Sequence, residues 1–447
     1  MKPFLFILFM GIACYSSGQD RDTLKIYYEN FEFNKVIDHV TQMKDDADTE
    51  MLNLKALSLK KLNKHEQAAS VYEKIYTQDT SNTRYLIELA NCHYMTDNFK
   101  EAALMYQKAL LIRPGNPYLY KQLGETFFEN DDFTKAIQYY HFVYKIDSSH
   151  YIARQLARSY ENLERVDTAI YYYEKTLAIK PKDFFSSYTM ANLLRKKKEY
   201  DEAAAVTISY LAYDSLKYKM WQLNGLINFL NKKYDASIQA FENCLALGDT
   251  STTTAKHLGY CYFKTKKYKL AKDYLQRTFE EDTTNIDVCY LLGLSCSRSI
   301  YKKLGIDYLN KALELTIPKP SFLSQLYQDL ASAQTAHYKY NEALFSYTEA
   351  LKLTPGDTLL IFKIASHYDN WLDNKEKALV YYQHFLLTKP RDEKPAMEKR
   401  ANITVSYYDY AERRIQELNE DLFWHEKKPE NKSKENKTEL IDNPAID

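Results

Sequence analysis

A small residue recurs along this chain at a nearly constant interval. It occupies Ala68, Ala102, Ala136, Ala169, Ala203, Ser237, Ala271, Gly305, Ala343 and Ala378, with spacings of 34, 34, 33, 34, 34, 34, 34, 38 and 35 residues. A unit of that length is one supersecondary motif. It cannot bury its own apolar face, so neighbouring units must stack and share a continuous core. Other features keep the same register. Twelve residues before several of the anchors stands the second member of a Leu-Gly or Leu-Ala pair, as in Leu89-Ala90, Leu123-Gly124, Leu258-Gly259 and Leu292-Gly293. An aromatic residue follows the anchor by four positions at Tyr72, Tyr106, Tyr140, Tyr173, Phe241, Tyr347 and Tyr382, and Pro114, Pro181, Pro355 and Pro390 close several units. Small residues at facing positions let two helices cross closely, the aromatic fills the gap to the next unit, and proline ends the second helix. Only 10 Gly and 11 Pro occur, beside 45% hydrophobic and 27% charged residues, which favours many helices in one continuous architecture.

This pattern is similar to the tetratricopeptide repeat, over about residues 22–390. Met190 in place of the Leu, Thr207 in place of the aromatic, and a longer lead-in through Pro318 and Pro320 depart from it within single units. A degenerate eleventh unit precedes the ten, with Val36 as its anchor and Ile26-Tyr27 in its first helix. The resemblance implies an all-α fold: a right-handed superhelical solenoid of about ten to eleven antiparallel helix pairs.

The ends of the chain differ from the middle. One positive charge at Lys2, an apolar run from Phe4 to Ala13 and the small residues Ser16 and Gly18 fit a secretory signal over 1–18, and the run is too short to span a bilayer. This implies an exported, periplasmic protein of a bacterial envelope. The alternative is a lipoprotein acylated at Cys14, because Ile12-Ala13-Cys14 resembles the end of a lipobox; only then would the protein be membrane-bound. The repeats are expected over 19–390. A capping helix over 391–425 is read from the three- and four-residue spacing of Val405, Tyr408, Ala411, Ile415, Leu418 and Leu422, and a disordered polar tail over 426–447 from its Lys, Glu, Asn and Pro.

Chemistry-bearing motifs are few. The chain has 60 basic and 60 acidic residues, so nothing in its overall charge suggests a nucleic-acid partner. It lacks a phosphate-binding glycine loop, a nucleophile elbow and a Cys-x-x-Cys pair, and His425-Glu426 lacks the second His of a zinc-protease helix. Beyond the leader, Cys92, Cys244, Cys261, Cys289 and Cys296 fall in helical patterns and read as core. His257 and Cys261 are one turn apart but have no further ligands nearby in sequence. No catalytic residue, metal or cofactor is expected.

In proteins of the resembled family the first helices face inward, and ligands commonly lie there. Carrying that register over, Lys121, Arg154, Arg158, Asn192, Arg195 and Lys196 form a basic stripe suited to an acidic peptide or a terminal carboxylate. The bland alternative is a solvated face neutralised by Glu161 and other neighbours. Leu223, Leu226, Phe229, Tyr260, Phe263, Leu291 and Leu294 form an apolar groove, unless tighter winding buries them. The expected function is a non-enzymatic scaffold or adaptor of the cell envelope that holds other exported proteins or peptides on its concave face. The alternative is a peptide- or glycan-binding receptor using the apolar groove.

Overall fold

The computed structural model describes residues 20–43, 46–315, 319–388, 397–400 and 403–426. The leader, the Cys14 acylation site and the tail from residue 427 onward lie outside them.

The fold is all-helical but for one short hairpin. Within residues 20–227, one compact unit, six helix pairs follow one another. They are α1 (20–29) with α2 (Phe33–Met43), α3 (Thr49–Lys61) with α4 (His65–Gln78), and α5 (Thr83–Met95) with α6 (Phe99–Ile112). Then come α7 (Pro117–Glu129) with α8 (Phe133–Ile146), α9 (His150–Asn162) with α10 (Val166–Ile179), and α11 (Phe184–Lys196) with α12 (Tyr200–Leu211). The division between units falls inside α13 (Tyr218–Leu230). The second unit holds α14 (Tyr234–Ala246), and the pairs α15 (Thr252–Lys264) with α16 (Tyr268–Glu281), α17 (Ile286–Ser297) with α18 (Lys302–Leu315), α19 (Pro320–Ala336) with α20 (Tyr340–Leu353) and α21 (Thr358–Asn370) with α22 (Lys375–Thr388). Antiparallel strands β1 (Met397–Arg400) and β2 (Ile403–Ser406) precede the last helix, α23 (Tyr407–Glu426), which packs on α22. Among the described residues no helix is long and apolar enough to cross a membrane.

Every small anchor, from Val36 to Ala378, lies on the second helix of its pair and is buried. Seven aromatics four residues on are buried too, with Tyr72, Tyr106, Tyr140, Tyr173 and Tyr382 fully enclosed. A Cβ built on Gly124 would come 2.6 Å from the Tyr140 ring, and one on Gly259 would come 2.6 Å from Leu275. The glycines therefore let the second helix seat its large side chain in the first. Where Thr207 replaces the aromatic, its buried hydroxyl accepts from Asn224 Nδ2 at 2.7 Å, so a polar pair fills the position. Helices α6, α10 and α20 each end two residues before Pro114, Pro181 and Pro355.

The helix ends are built in two ways. Asp48, Asn82, Asn116, Asp183, Ser251, Asn285 and Asp357 cap the first helices, their side chains accepting from backbone amides of the first turn. In every pair but α17 with α18 the turn into the second helix runs through a residue with positive φ, and none of these is glycine: Phe31, Asn63, Asp97, Asp131, Glu164, Lys198, Lys232, Lys266, Tyr338 and Asp373. At Asp97 the next amide, Asn98 N, returns to His93 O at 2.9 Å, closing the left-handed cap.

Val405, which its spacing assigned to the last helix, lies in β2, and the helix begins at Tyr407. Val405 stands three residues before Tyr408, a single step that does not by itself extend the helix, and the strand ladder from Met397–Ser406 to Arg400–Ile403 takes it.

Candidate functional site

Four first-of-pair helices of one register supply the walls of a concave cleft of about 780 Å³ in the second unit. Phe229 comes from the end of α13, His257, Tyr260 and Phe263 from α15, Tyr290, Leu291 and Leu294 from α17, and Phe322 from α19. Six of these eight side chains are aromatic. Phe229 meets Tyr260 and His257 edge-on, each with ring centroids 5.0 Å apart, and Tyr290 meets Phe322 the same way at 5.6 Å. Edge-to-face packing fixes ring orientation and leaves faces open to a ligand.

The polar groups of the lining are arranged around this floor. The Tyr290 hydroxyl and Gln325 Nε2 both donate to Asp329, the latter at 3.3 Å. Burial and that carboxylate hold the Tyr290 phenol well above its ordinary range, so it remains a donor. Burial pushes the His257 ring below its ordinary value, favouring the neutral form. Its Nδ1 donates to the Thr253 carbonyl at 2.7 Å, which leaves Nε2 as an acceptor. Lys264 lies 5.1 Å above the Tyr260 ring and Arg298 5.1 Å above that of Phe263. Lys256 and Asp287 complete the wall. Among the described residues, none of Lys256, Lys264, Arg298 and Asp287 has an opposite charge within 4.0 Å. The cleft thus offers an aromatic floor with charges of both signs at its margin, Lys264 and Arg298 lying over rings of the floor itself.

Five of the seven groove residues predicted from sequence line this cleft: Phe229, Tyr260, Phe263, Leu291 and Leu294. Leu294 and Phe263 are largely buried and present only an edge to it. Leu223 and Leu226 do not line it. Leu223 is core, packed with Leu194, Leu211 and Ile227 in the first unit, and Leu226, only partly exposed, belongs to that unit as well. The cleft therefore crosses the three repeats expected of the groove and extends to α19, with Leu223 and Leu226 left outside its lining. The same inward register, applied to polar residues as well, selects Lys256, His257, Lys264, Asp287, Tyr290, Arg298, Gln325 and Asp329. Sequence reasoning missed them because it collected only apolar side chains.

The basic stripe lies in the first unit and is largely committed to internal contacts. Arg154 Nη1 pairs at 3.0 Å with Asp183, the buried N-cap of α11, and Lys121 pairs with Glu125 at 3.6 Å while lying 4.7 Å above Tyr151. Arg158 is held between Phe128 and Phe185, with its guanidinium 4.5 and 5.8 Å from the ring centroids, and donates to Gln155. Asn192 Nδ2 donates to the Tyr188 carbonyl, Arg195 Nε donates to Asn192 Oδ1 at 3.2 Å, and Lys196 is exposed. Glu161, expected to neutralise the stripe, instead accepts from the Tyr173 hydroxyl at 2.7 Å. Asp183 neutralises Arg154 and Glu125 neutralises Lys121.

The cysteines carry no evident chemistry. All five beyond the leader are free and buried; burial pushes Cys92, Cys261, Cys289 and Cys296 up to about 11 and Cys244 up to about 12. His257 and Cys261 turn to different partners, the thiol donating to Ser237 Oγ at 3.4 Å. Among the described residues no cluster of His, Cys, Asp and Glu is disposed to hold a metal ion.

Family models described as tetratricopeptide repeat match residues 59–124, 155–183 and 257–282. Among curated relatives, the TPR repeat-containing protein YpiA of Bacillus subtilis (strain 168) is 21% identical over 340 residues, covering 73% of this chain and 78% of YpiA. BBSome complex member BBS4 of Bos taurus is 22% identical over 318 residues, covering 71% of this chain but 58% of BBS4. A solved structure, that of YrrB, described as a TPR protein with an unusual peptide-binding site, is 20% identical and covers 42% of this chain and 95% of its own, with a TM-score of 0.38.

Proposed function

We propose that this chain, parts of which match tetratricopeptide-repeat models, is a non-catalytic scaffold of that family. It gathers partner proteins by taking a segment of one of them into the aromatic cleft of its second unit. One observation carries this reading: successive first helices place Phe229, Tyr260, Tyr290 and Phe322 along a single open cleft with lysine, arginine and aspartate at its margin. A bound polypeptide segment supplies both apolar side chains and counter-charges. The apolar run from Phe4 to Ala13 supports placing this work in a bacterial envelope, with exported proteins as partners.

Photo-crosslinking from position 260 in intact cells tests the proposal. The expected result is one or two abundant exported proteins, crosslinked from 260 and from 291 but not from the convex position 276, and lost in Phe229→Glu. Equal capture from 276 would remove the cleft from the function.

A second reading rests on the size of the site. A cleft of about 780 Å³ falls in the range of small-ligand pockets, and aromatic faces stack on sugar rings as well as on side chains. Saturable binding of an oligosaccharide, with no crosslinked protein, would favour a glycan receptor.

A further inference from the structure

Within each pair the chain passes from first to second helix through a tight turn whose tip projects toward solvent. From the second pair to the eighth its occupants are polar: Asn63, Asp97, Asp131, Glu164, Lys198, Lys232 and Lys266. The two tips that follow in the second unit are not. Ile300 is 84% exposed and Tyr338 is 76% exposed, and beyond them Trp371, at the end of α21, is 49% exposed. Tyr338 also holds φ at +65°, a conformation that a bulky side chain adopts at a cost. The repeat fold asks for no apolar group at this position, as the seven polar tips demonstrate.

These side chains form one continuous edge. Ile300 and His337 share the wall of a shallow depression, and Lys302 Nζ donates to the Ala336 carbonyl at 2.9 Å, tying the two turns together. The Tyr338 ring meets Tyr340 at 6.5 Å, and Tyr340 stacks on Trp371 at 5.1 Å. The two turn segments beside it carry charge of one sign, although Asp307 shares the wall of the depression. Residues 264–270 carry four lysines and residues 296–304 carry Arg298, Lys302 and Lys303, and neither segment contains an acid. Asp235 takes up one of these, Lys267, at 4.0 Å; further along, Lys339 is held by Glu342 and the next tip is Asp373, so the positive field is centred between Lys266 and Lys303.

We propose that this edge docks on an anionic lipid surface, with Ile300 and Tyr338 entering the interface and Lys266 and Lys303 facing the headgroups. Tyrosine and tryptophan rings settle at headgroup level, having one apolar and one polar end. Protruding apolar tips bury themselves in a bilayer interface without needing the broad complementary face that a protein partner must supply. Lysines beside them are drawn to anionic leaflets, each contributing about a fivefold gain in partitioning. This attachment is independent of acylation at Cys14 and of whatever occupies the cleft.

The test is co-sedimentation of the full chain with vesicles of phosphatidylcholine and phosphatidylglycerol in equal parts, against vesicles of phosphatidylcholine alone. The chain is expected to sediment with the mixed vesicles at low salt, to be released by high salt, and to stay in solution with phosphatidylcholine. Lys266→Glu with Lys303→Glu should weaken partitioning by more than about twentyfold. Ile300→Ser with Tyr338→Ser should weaken it at least about fivefold with unchanged far-ultraviolet ellipticity, because both side chains point into water. Equal sedimentation of wild type and both variants would overturn the proposal, as would absence of the wild type from the mixed vesicles. A concentration-dependent doubling of mass abolished by Ile300→Ser would overturn it too, by assigning the edge to a second copy of the chain.

Discussion

Arg414 of the last helix grips Asp369 of α21 with both arms of its guanidinium, Nε and Nη2 each 2.8 Å from a carboxylate oxygen. The Asp369 side chain is only 2% exposed and also accepts from the Tyr382 hydroxyl at 3.3 Å. Three elements, α21, α22 and α23, thus meet on one buried carboxylate. Such pairs add little net stability over a well-packed apolar contact, but breaking one strands the other charge. Asp369→Asn should destabilise the end of the stack by about 3 kcal/mol. Urea titration would show this as a lowered midpoint, and limited trypsin digestion as early cleavage within α23. Retention of both at wild-type values would mean that the apolar contacts of Ala411 and Leu418 hold the helix unaided.

The left-handed turn tips offer a gain. An L-residue there costs roughly 1–2 kcal/mol that glycine avoids, partly offset by glycine's greater freedom in the unfolded chain. Asp97→Gly and Lys266→Gly should each raise stability by about 0.5–1 kcal/mol. Equilibrium unfolding of the two single variants decides it, and a fall in stability would show that the native side chains make contributions beyond backbone geometry.

The tips also show why some of the fold was illegible. A sequence reader looks for left-handed caps at Gly or Asn, and here they carry Asp, Glu, Lys and Tyr. The small anchors and the aromatics four residues on were legible because helix crossing distance leaves those positions no choice, as the 2.6 Å approach between Gly124 and Tyr140 shows. The site was legible only in part. Register tells which helix face a residue shares, and it brought Phe229, Tyr260 and Leu291 together. It does not tell how deeply neighbouring repeats bury that face, which is why Leu223 was taken for a groove residue. Nor does it reveal a partner one repeat away. Asp183 lies 29 residues beyond Arg154 yet reaches it because it caps the next first helix.

Glycine at the anchor position itself is more demanding. A Cβ on Gly305 would fall 2.6 Å from the backbone nitrogen of Ser297, where no side chain can swing aside. Gly305→Ala should cost about 1–3 kcal/mol, although alanine is the usual anchor elsewhere in the chain. Gly293→Ala, whose Cβ would meet the Leu309 side chain at 2.8 Å and its backbone nitrogen at 3.1 Å, should cost less because the leucine can shift. Thermal melts of the pair would reveal the order, and equal costs would refute the distinction between backbone and side-chain obstruction.

Alkaline pH should act through the buried thiols. Cys92, Cys261, Cys289 and Cys296 are pushed up to about 11 in the folded chain, from an ordinary value of 9.0. Above pH 9 the unfolded chain releases these protons and the folded chain keeps them, so the unfolded state binds fewer protons and stability falls with rising pH. The contribution is fully present below pH 9 and is lost as pH climbs toward 11. Urea midpoints should therefore decline over that window, and Cys289→Ala should flatten part of the decline. In native protein near pH 8, a thiol reagent such as dithionitrobenzoate should react slowly with all of these cysteines and rapidly after unfolding.

Phe229 and Phe263 sit on the same cleft yet should answer substitution differently. Phe263 is 9% exposed and covered by the Arg298 guanidinium, so Phe263→Glu places a carboxylate where water is excluded. That change should cost about 3–5 kcal/mol from lost packing alone. Phe229 is half-buried at the margin and touches Tyr260 and His257 by its edge. Phe229→Glu should cost only about 1 kcal/mol while removing an apolar contact from any ligand in the cleft. Stability and ligand capture should therefore separate at Phe229 and fall together at Phe263. Loss of capture at neither residue, with the chain folded in both variants, would mean that the aromatic floor is a packing feature and that the working surface lies elsewhere.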